Sequence, residues 1–477
     1  MIKLKQIVYY NFILYFLPAF CFFIGDSYFP WALITGIALE VLYITYNGRK
    51  IVPYMIYLYN KTAFKYLILL YCWILITGFI AVFLGYYSLN RFLMAAFIGF
   101  AFRCLTVYLY PIIFIRTESA MLKFIDLYYK MLFVIFILGF VEFVGVKYNI
   151  SFIQTLIHFL SNIRDEANSV IIEANSNMAR IRSVFMEPGA LAKFIVINFP
   201  LIYKLLDPNF YQGKNSVFKN FYKKSIVVMS WICLFLAQSP IYLLMGGIVT
   251  ILYFGKSILK KLKVLFLFLI LIIFFIAILL MGDFDFSKTF LIRIIKVYEI
   301  LTNFSFDAFI LLEPSLAARV INYINEFHVF LKHPIMGIGF GNAGTILIEQ
   351  FINSPVPLTI ELIQKINTNS RTFTSNTFYL LLFQTGIVGA VLYYIFAIKS
   401  LLILNKIKVF FYGNMQIFMD GLKKVILITI ILSVIYNQGL VDILAFIHLG
   451  LCIAFWQIYK NSKEKEIIYK NENKKNL

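Results

Sequence analysis

Apolar residues run in long blocks along most of the 477-residue chain, and the short stretches between the blocks hold nearly all of its charge. A helix needs roughly 20 predominantly apolar residues to cross the hydrocarbon core of a bilayer. Blocks of that kind predict spans near 7–25, 30–46, 65–86, 92–115, 125–146 and 188–206. Six more are predicted near 225–238, 240–255, 263–281, 376–398, 424–441 and 443–460, which makes about twelve. A break at Gln238-Ser239-Pro240 separates the seventh from the eighth. The segment 51–60 is apolar but short and is expected to lie at the membrane interface.

Two segments are too long to be turns, and loops of that size are usually functional when ordered. The expected organisation is helices one to five in 1–146, a large loop at 147–187 and helices six to nine in 188–281. A second large loop follows at 282–375, then helices ten to twelve in 376–460 and a polar tail at 461–477. Within the second loop the stretch Ala317–Lys332 has helical periodicity, with Val320, Ile324, Phe327 and Leu331 on one face. No internal repeat is visible, so an inverted-repeat transporter is not supported.

Composition agrees with this pattern. The chain is 61% hydrophobic and 14% charged, with a mean hydropathy of +0.85 and 52 Phe and 32 Tyr. Soluble domains are about half apolar and about a quarter charged. An ordinary soluble enzyme is excluded, and so is a disordered chain. The class is an all-α polytopic membrane protein.

The net charge of +20 comes from 43 Lys and Arg against 23 Asp and Glu. With both ends placed in the cytoplasm, most of these cations fall in cytoplasmic segments, as the positive-inside bias requires. They include Lys3, Lys5, Arg49, Lys50, the runs Lys204 to Lys224 and Lys399 to Lys424, and the lysines of the tail. The charge therefore does not call for nucleic acid, and both large loops face outward. No cleavable signal peptide is evident in the first apolar run. Cys21, Cys72, Cys104, Cys233 and Cys452 all sit in apolar runs without metal-binding spacing, so neither a disulfide nor a metal site is expected.

The outer segments carry the candidate chemistry. Arg180 and Arg182 stand just before a helix that opens Glu187-Pro188-Gly189-Ala190, with proline at the first helical position and an acid before it. Two guanidinium groups at a helix start suit a phosphate-bearing ligand; anchoring to lipid headgroups is the other reading. In the second loop Arg319 lies on the amphipathic helix that leads to His333-Pro334 and then to Gly337, Gly339 and Gly341. Glycines there permit tight turns and close backbone approach to a ligand. His333 is either a base or a turn residue. Arg371 and Asn376 stand at the mouth of the tenth span, where Asn376 either caps the helix or binds sugar hydroxyls. Of the charges inside spans, Arg103 and Glu142 are candidates to pair, Lys130 is a further case, and Lys193 stands close to Glu187.

The segments RSVFMEPGALAKF, HPIMGIGFGN and SNTFYLLLFQTGIVGAVL, in this order and topological placement, resemble the O-antigen polymerase and O-antigen ligase superfamily. The resemblance implies a GT-C-like helical membrane fold and a metal-independent glycosyltransferase that uses no cofactor. It implies an undecaprenyl-diphosphate-linked oligosaccharide as substrate, a site at the outer leaflet of the bacterial cytoplasmic membrane, and a chain-length regulator as partner. Arg182 and Arg319 match the positions where the family places functional arginines. Ligases commonly have His directly before the Asn that opens the later span; here Ser375 precedes Asn376. That departure and the Glu187-Pro188 pair favour a polymerase over a ligase, with a non-enzymatic flippase as the more distant alternative. For the reaction, negative charge builds on the departing diphosphate, which asks for prearranged cations and donors. Arg182 and Arg319 are the leading candidates, with Arg180 and Arg371 behind them and Glu187 as the candidate base.

Overall fold

A computed structural model of the chain describes residues 21–24, 27–161, 181, 183, 185, 188–210, 216–237, 239–258, 305, 307, 309–310, 314–367, 376–435 and 443–475. Helices dominate these residues. The exception is a hairpin in which β1 (Cys21–Ile24) pairs antiparallel with β2 (Ser27–Pro30), in the register Cys21 to Pro30. The first expected span ended at residue 25; its last residues are therefore strand instead of helix, and the rest of it lies outside the described residues. So does the span expected at 263–281.

The helices are α1 (Trp31–Lys61), α2 (Phe64–Phe83), α3 (Leu89–Leu93), α4 (Thr106–Phe114), α5 (Glu118–Lys147) and α6 (Ser151–Ser161). A π-helix over Met94–Leu105 joins α3 to α4. Then come α7 (Pro188–Lys204), α8 (Ser216–Leu236), α9 (Pro240–Ile258), α10 (Pro314–Lys332), α11 (Ala343–Ile352) and α12 (Ile360–Asn367). The last three are α13 (Thr377–Ile407), α14 (Gly413–Ile435) and α15 (Ile443–Lys475). Among the described residues, four helical segments are long and apolar enough to cross a membrane: Phe64–Phe83, Leu89–Phe114, Glu118–Lys147 and Thr377–Phe410. They coincide with the spans expected at 65–86, 92–115, 125–146 and 376–398. A polytopic membrane protein is indicated by these four.

Segment 51–60 is the second half of α1, which runs unbroken through it. Tyr57 stacks on Trp456 with centroids 5.7 Å apart, the Lys460 ammonium lies 3.4 Å from the Tyr57 ring centroid, and Leu58 is fully buried. Those contacts give the segment a protein surface to cover, which its shortness in the sequence concealed.

The chain divides into two compact units. One holds Met1–Ala32, Leu122–Tyr298 and Tyr412–Val425. In it α7, α8 and α9 are tied by buried hydrogen bonds: Trp231 Nε1 donates to the Tyr203 hydroxyl at 3.1 Å, and that hydroxyl lies 2.5 Å from Thr250 Oγ1. Tyr129 donates to the Leu201 carbonyl at 2.9 Å, and the Tyr128 hydroxyl donates to Asn198 Oδ1. Apolar surroundings strengthen such bonds and make their loss costly.

The second unit holds Leu33–Met121, Glu299–Phe411 and Ile426–Leu477. Its core around α10, α11 and α12 is built from Ala318, Ile321, Val329, Ile338, Leu347, Phe351, Leu362 and Phe383. On the apolar face expected for α10, Val320 and Ile324 are half-buried and Phe327 and Leu331 are 42% and 59% exposed, whereas Ala318, Ile321 and Val329 beside it are buried. A polar staple organises the buried side. Asn325 is fully buried at the centre of that inner face, where its Nδ2 donates to Ser354 Oγ at 3.1 Å and its Oδ1 accepts from Gln350 Nε2 at 3.5 Å.

Candidate functional site

The described part of the site lies in the second unit, on α10, the turn that follows it, and α13. Arg319 is half-buried on α10. Residues three, four and seven further on share its helical face, and these are Asn322, Tyr323 and Glu326. Asn322 and Glu326 are buried. Tyr323 stacks on Tyr379 of α13 with centroids 5.1 Å apart and planes at 9°. Glu326 was missed by the sequence reading, although the R-x-x-N-Y-x-x-E spacing would have marked a polar face.

Tyr379 belongs to the first turn of α13, and Asn376 caps that turn. Its Oδ1 accepts the Tyr379 N–H at 2.9 Å, and its Nδ2 donates to the Val434 carbonyl at the end of α14, also at 2.9 Å. Asn376 is fully buried. Of the two readings offered above, the cap describes its contacts. The stack and the cap together bring the helix of Arg319 against the start of α13.

The turn HPIMGIGFGN does something the sequence does not announce. Helix α13 is broken at Gly386, which takes φ +65° and ψ −171°, a combination open essentially to glycine alone. In an unbroken helix the Ile387 N–H would donate to the Phe383 carbonyl. Instead it donates to the Pro334 carbonyl at 2.9 Å, and the Phe383 carbonyl receives the Ile338 N–H at 3.0 Å. The Gln384 carbonyl takes the Gly339 N–H at 3.0 Å, and the Thr385 carbonyl takes Trp73 Nε1 at 2.8 Å. The turn therefore fills the break and satisfies groups that hydrocarbon could not.

His333 starts this turn. Its carbonyl accepts the Gly337 N–H at 3.0 Å, and its ring meets Tyr86 edge-on with centroids 5.8 Å apart. Gly337, at φ +65°, has no room for a Cβ, which would fall 2.5 Å from the Gln384 carbonyl carbon. At Gly339 a Cβ would fall 2.6 Å from Ala81 Cβ. The close approach that these glycines permit here is to the chain itself. The buried Tyr87 hydroxyl donates to the Phe340 carbonyl at 2.8 Å, and burial raises its pKa above the usual tyrosine value, keeping it a neutral donor. The π-helix meets the same turn: Phe340 packs edge-on against Phe100, and the space at Gly341 is closed by Ala95.

Arg180, Arg182, Glu187 and Arg371 lie outside the described residues. The residues on either side of Arg182 belong to the first unit and are described: Ile181 and Ser183 are fully buried. The Ser183 N–H donates to Glu142 Oε2 at 2.6 Å, and the Ile181 N–H to the Leu236 carbonyl at 3.1 Å. Glu142 thus has a backbone donor; the side chain of Arg103, its expected partner, lies outside the description. Lys130 pairs with Asp126 one turn earlier at 2.7 Å, and Lys193 is half-buried on α7, which starts at Pro188 as the sequence predicts.

Comparison with known sequences fits this arrangement. A family model described as O-Antigen ligase matches residues 225–394, a stretch that includes Arg319, His333, Gly337, Gly339, Arg371 and Asn376 and begins after Glu187. No curated protein matches the chain. The helix of Arg319, the glycine turn and the part of the broken helix that receives it accordingly lie within the stretch similar to the O-Antigen ligase family model.

Proposed function

We propose that this protein polymerises lipid-linked oligosaccharide repeat units at the outer face of the bacterial cytoplasmic membrane, with both termini in the cytoplasm. The growing glycan moves from undecaprenyl diphosphate to a hydroxyl of the next lipid-linked unit. The bond from the anomeric carbon to the diphosphate oxygen breaks, a bond to the acceptor oxygen forms, and the acceptor proton passes to a base. The observation that carries the reading is the family match over a segment holding Arg319 and both later motifs.

Negative charge accumulates on the leaving diphosphate, so the arginines have the larger part. Arg319 and Arg182 grip it through paired N–H donors, which a permanently charged guanidinium provides. Arg180 and Arg371 line the route of the lipid-linked substrate, and Glu187 takes the acceptor proton. Asn376, His333, Gly337 and Gly339 act by holding the helix of Arg319 and the start of α13 in place. Cationic stabilisation is thereby assigned to side chains, without a metal.

Ser375 before Asn376 and the Glu187-Pro188 pair support the polymerase over the ligase. The description of the matching family favours a second reading, a ligase that transfers finished glycan to an acceptor. A deletion strain separates them. Loss of a polymerase leaves a single repeat unit on the acceptor, whereas loss of a ligase leaves none. Unchanged long-chain polysaccharide in the deletion strain would refute both.

A further inference from the structure

Ile181 and Ser183 are clasped between two helices of the first unit. The Ile181 N–H satisfies the carbonyl of Leu236, the last residue of α8, where helical carbonyls lack partners of their own. Ser183 is held through backbone and side chain: its N–H donates to Glu142 Oε2 at 2.6 Å, and its Oγ donates to the Ile135 carbonyl at 2.7 Å. It sits at φ +55°, a region that non-glycine residues rarely occupy. Gly139 of α5 makes the space, since a Cβ there would already lie 3.2 Å from Ile181 Cδ1 and 3.5 Å from Ser183 Cβ.

A carboxylate is costly at position 142, buried in a helix long and apolar enough to span a bilayer. The short hydrogen bond from the Ser183 N–H offsets part of that cost. What the bond fixes is the backbone immediately after Arg182. We propose that Glu142 is a positioning residue for the segment that carries Arg182: its side chain reaches the Ser183 amide and holds the backbone next in sequence to that arginine. This rests on the reading that Arg182 grips the diphosphate. Reach is the property that matters. Glutamine keeps an oxygen at the same distance, aspartate withdraws it by one methylene, and methionine fills the volume without an acceptor.

The test measures initial rates of chain extension on lipid-linked repeat units for the full-length protein in proteoliposomes, normalised to monodisperse protein. Misplacement by about 1 Å lowers rates by up to about a hundredfold. Glu142→Asp and Glu142→Met are therefore expected to lose about ten- to a hundredfold in kcat, with Glu142→Gln restored to within about threefold of the parent. The two disruptive variants are run together so that a folding failure of one leaves the other readable. Hydrogen exchange at the Ser183 amide, protected in the parent and Glu142→Gln but not in the disruptive variants, reports the bond itself. The proposal is overturned if Glu142→Asp or Glu142→Met extends chains at the parental rate, or if Glu142→Gln falls as far as Glu142→Asp, which would make charge the operative property. An Arg182→Ala arm separates the two levels. Parental activity there refutes the diphosphate reading, whereas loss there with a fully active Glu142→Met refutes only the role of Glu142.

Discussion

Gly386→Ala should be among the most damaging single-methyl changes in the second unit. A Cβ at this position would lie 2.1 Å from the Ile335 carbonyl oxygen and 2.3 Å from its carbon, so the turn must move away. Forcing alanine into a backbone conformation open essentially to glycine costs about 1–3 kcal/mol. Retreat of the turn also breaks at least two of the exchanged backbone bonds, from Ile387 to Pro334 and from Ile338 to Phe383. Counting one unsatisfied buried group per broken bond, at roughly 1–3 kcal/mol each, gives a lower bound. The total is about 3–9 kcal/mol, against about 5–15 kcal/mol of stability for a typical protein. The expected result is little monodisperse protein in the membrane fraction, and a melting temperature far below the parent's in fluorescence-detected size exclusion after heating. Gly247→Ala is the matched control: nothing lies within 4 Å of its added Cβ, and alanine favours a helix interior by up to about 1 kcal/mol. A Gly386→Ala protein as abundant and heat-resistant as the parent would refute the account of the broken helix.

Arg319→Ala is expected to cut chain extension by about two orders of magnitude with normal membrane levels, and Arg319→Lys to recover little, because a point charge does not replace a two-donor fork; normal ladders on a gel from the alanine variant would count against the site. Asn376→Ala removes the cap of α13 and leaves the Val434 carbonyl without its amide, for a loss of about 1–3 kcal/mol in detergent melts; an unchanged melt would show that the cap is dispensable. Trp73→Phe keeps an aromatic ring but strips the Thr385 carbonyl of its donor, which should lower stability by roughly 1–3 kcal/mol in detergent melts; an unchanged melt would show that this donor is dispensable. Chelation of divalent ions should not alter chain extension by the purified protein; a loss reversed by adding a divalent ion would contradict the assignment of the cationic role to arginine.

Apolar run length located α2, the Leu89–Phe114 segment, α5 and α13, because the membrane requirement is written directly in composition. The same signal overlooked that α1 continues to Lys61, since a ten-residue apolar segment looks the same whether a neighbour covers it or lipid does. Helical periodicity found α10 but not what its buried side is organised around: counting only apolar residues selects Phe327 and Leu331, whereas that side is built on Asn325 and its amide partners. Proline and glycine marked the turn after His333 correctly. Its destination was not legible, because the partner groups are main-chain carbonyls of residues 383–385, and carbonyls have no letter in a sequence. Asn376 carried its cap in its identity, while its tie to Val434 depended on a helix more than fifty residues away.

The interlocked turn and helix have a consequence for anyone grafting parts of this protein onto a relative. Residues 334–339 and 383–387 exchange donors across a seam, so a transplant that carries the span without the turn, or the turn without the span, inserts half of a fitted joint. A transferable cassette would start before His333 and end beyond Gly386, and its boundaries are set by main-chain partners instead of by where a loop seems to stop.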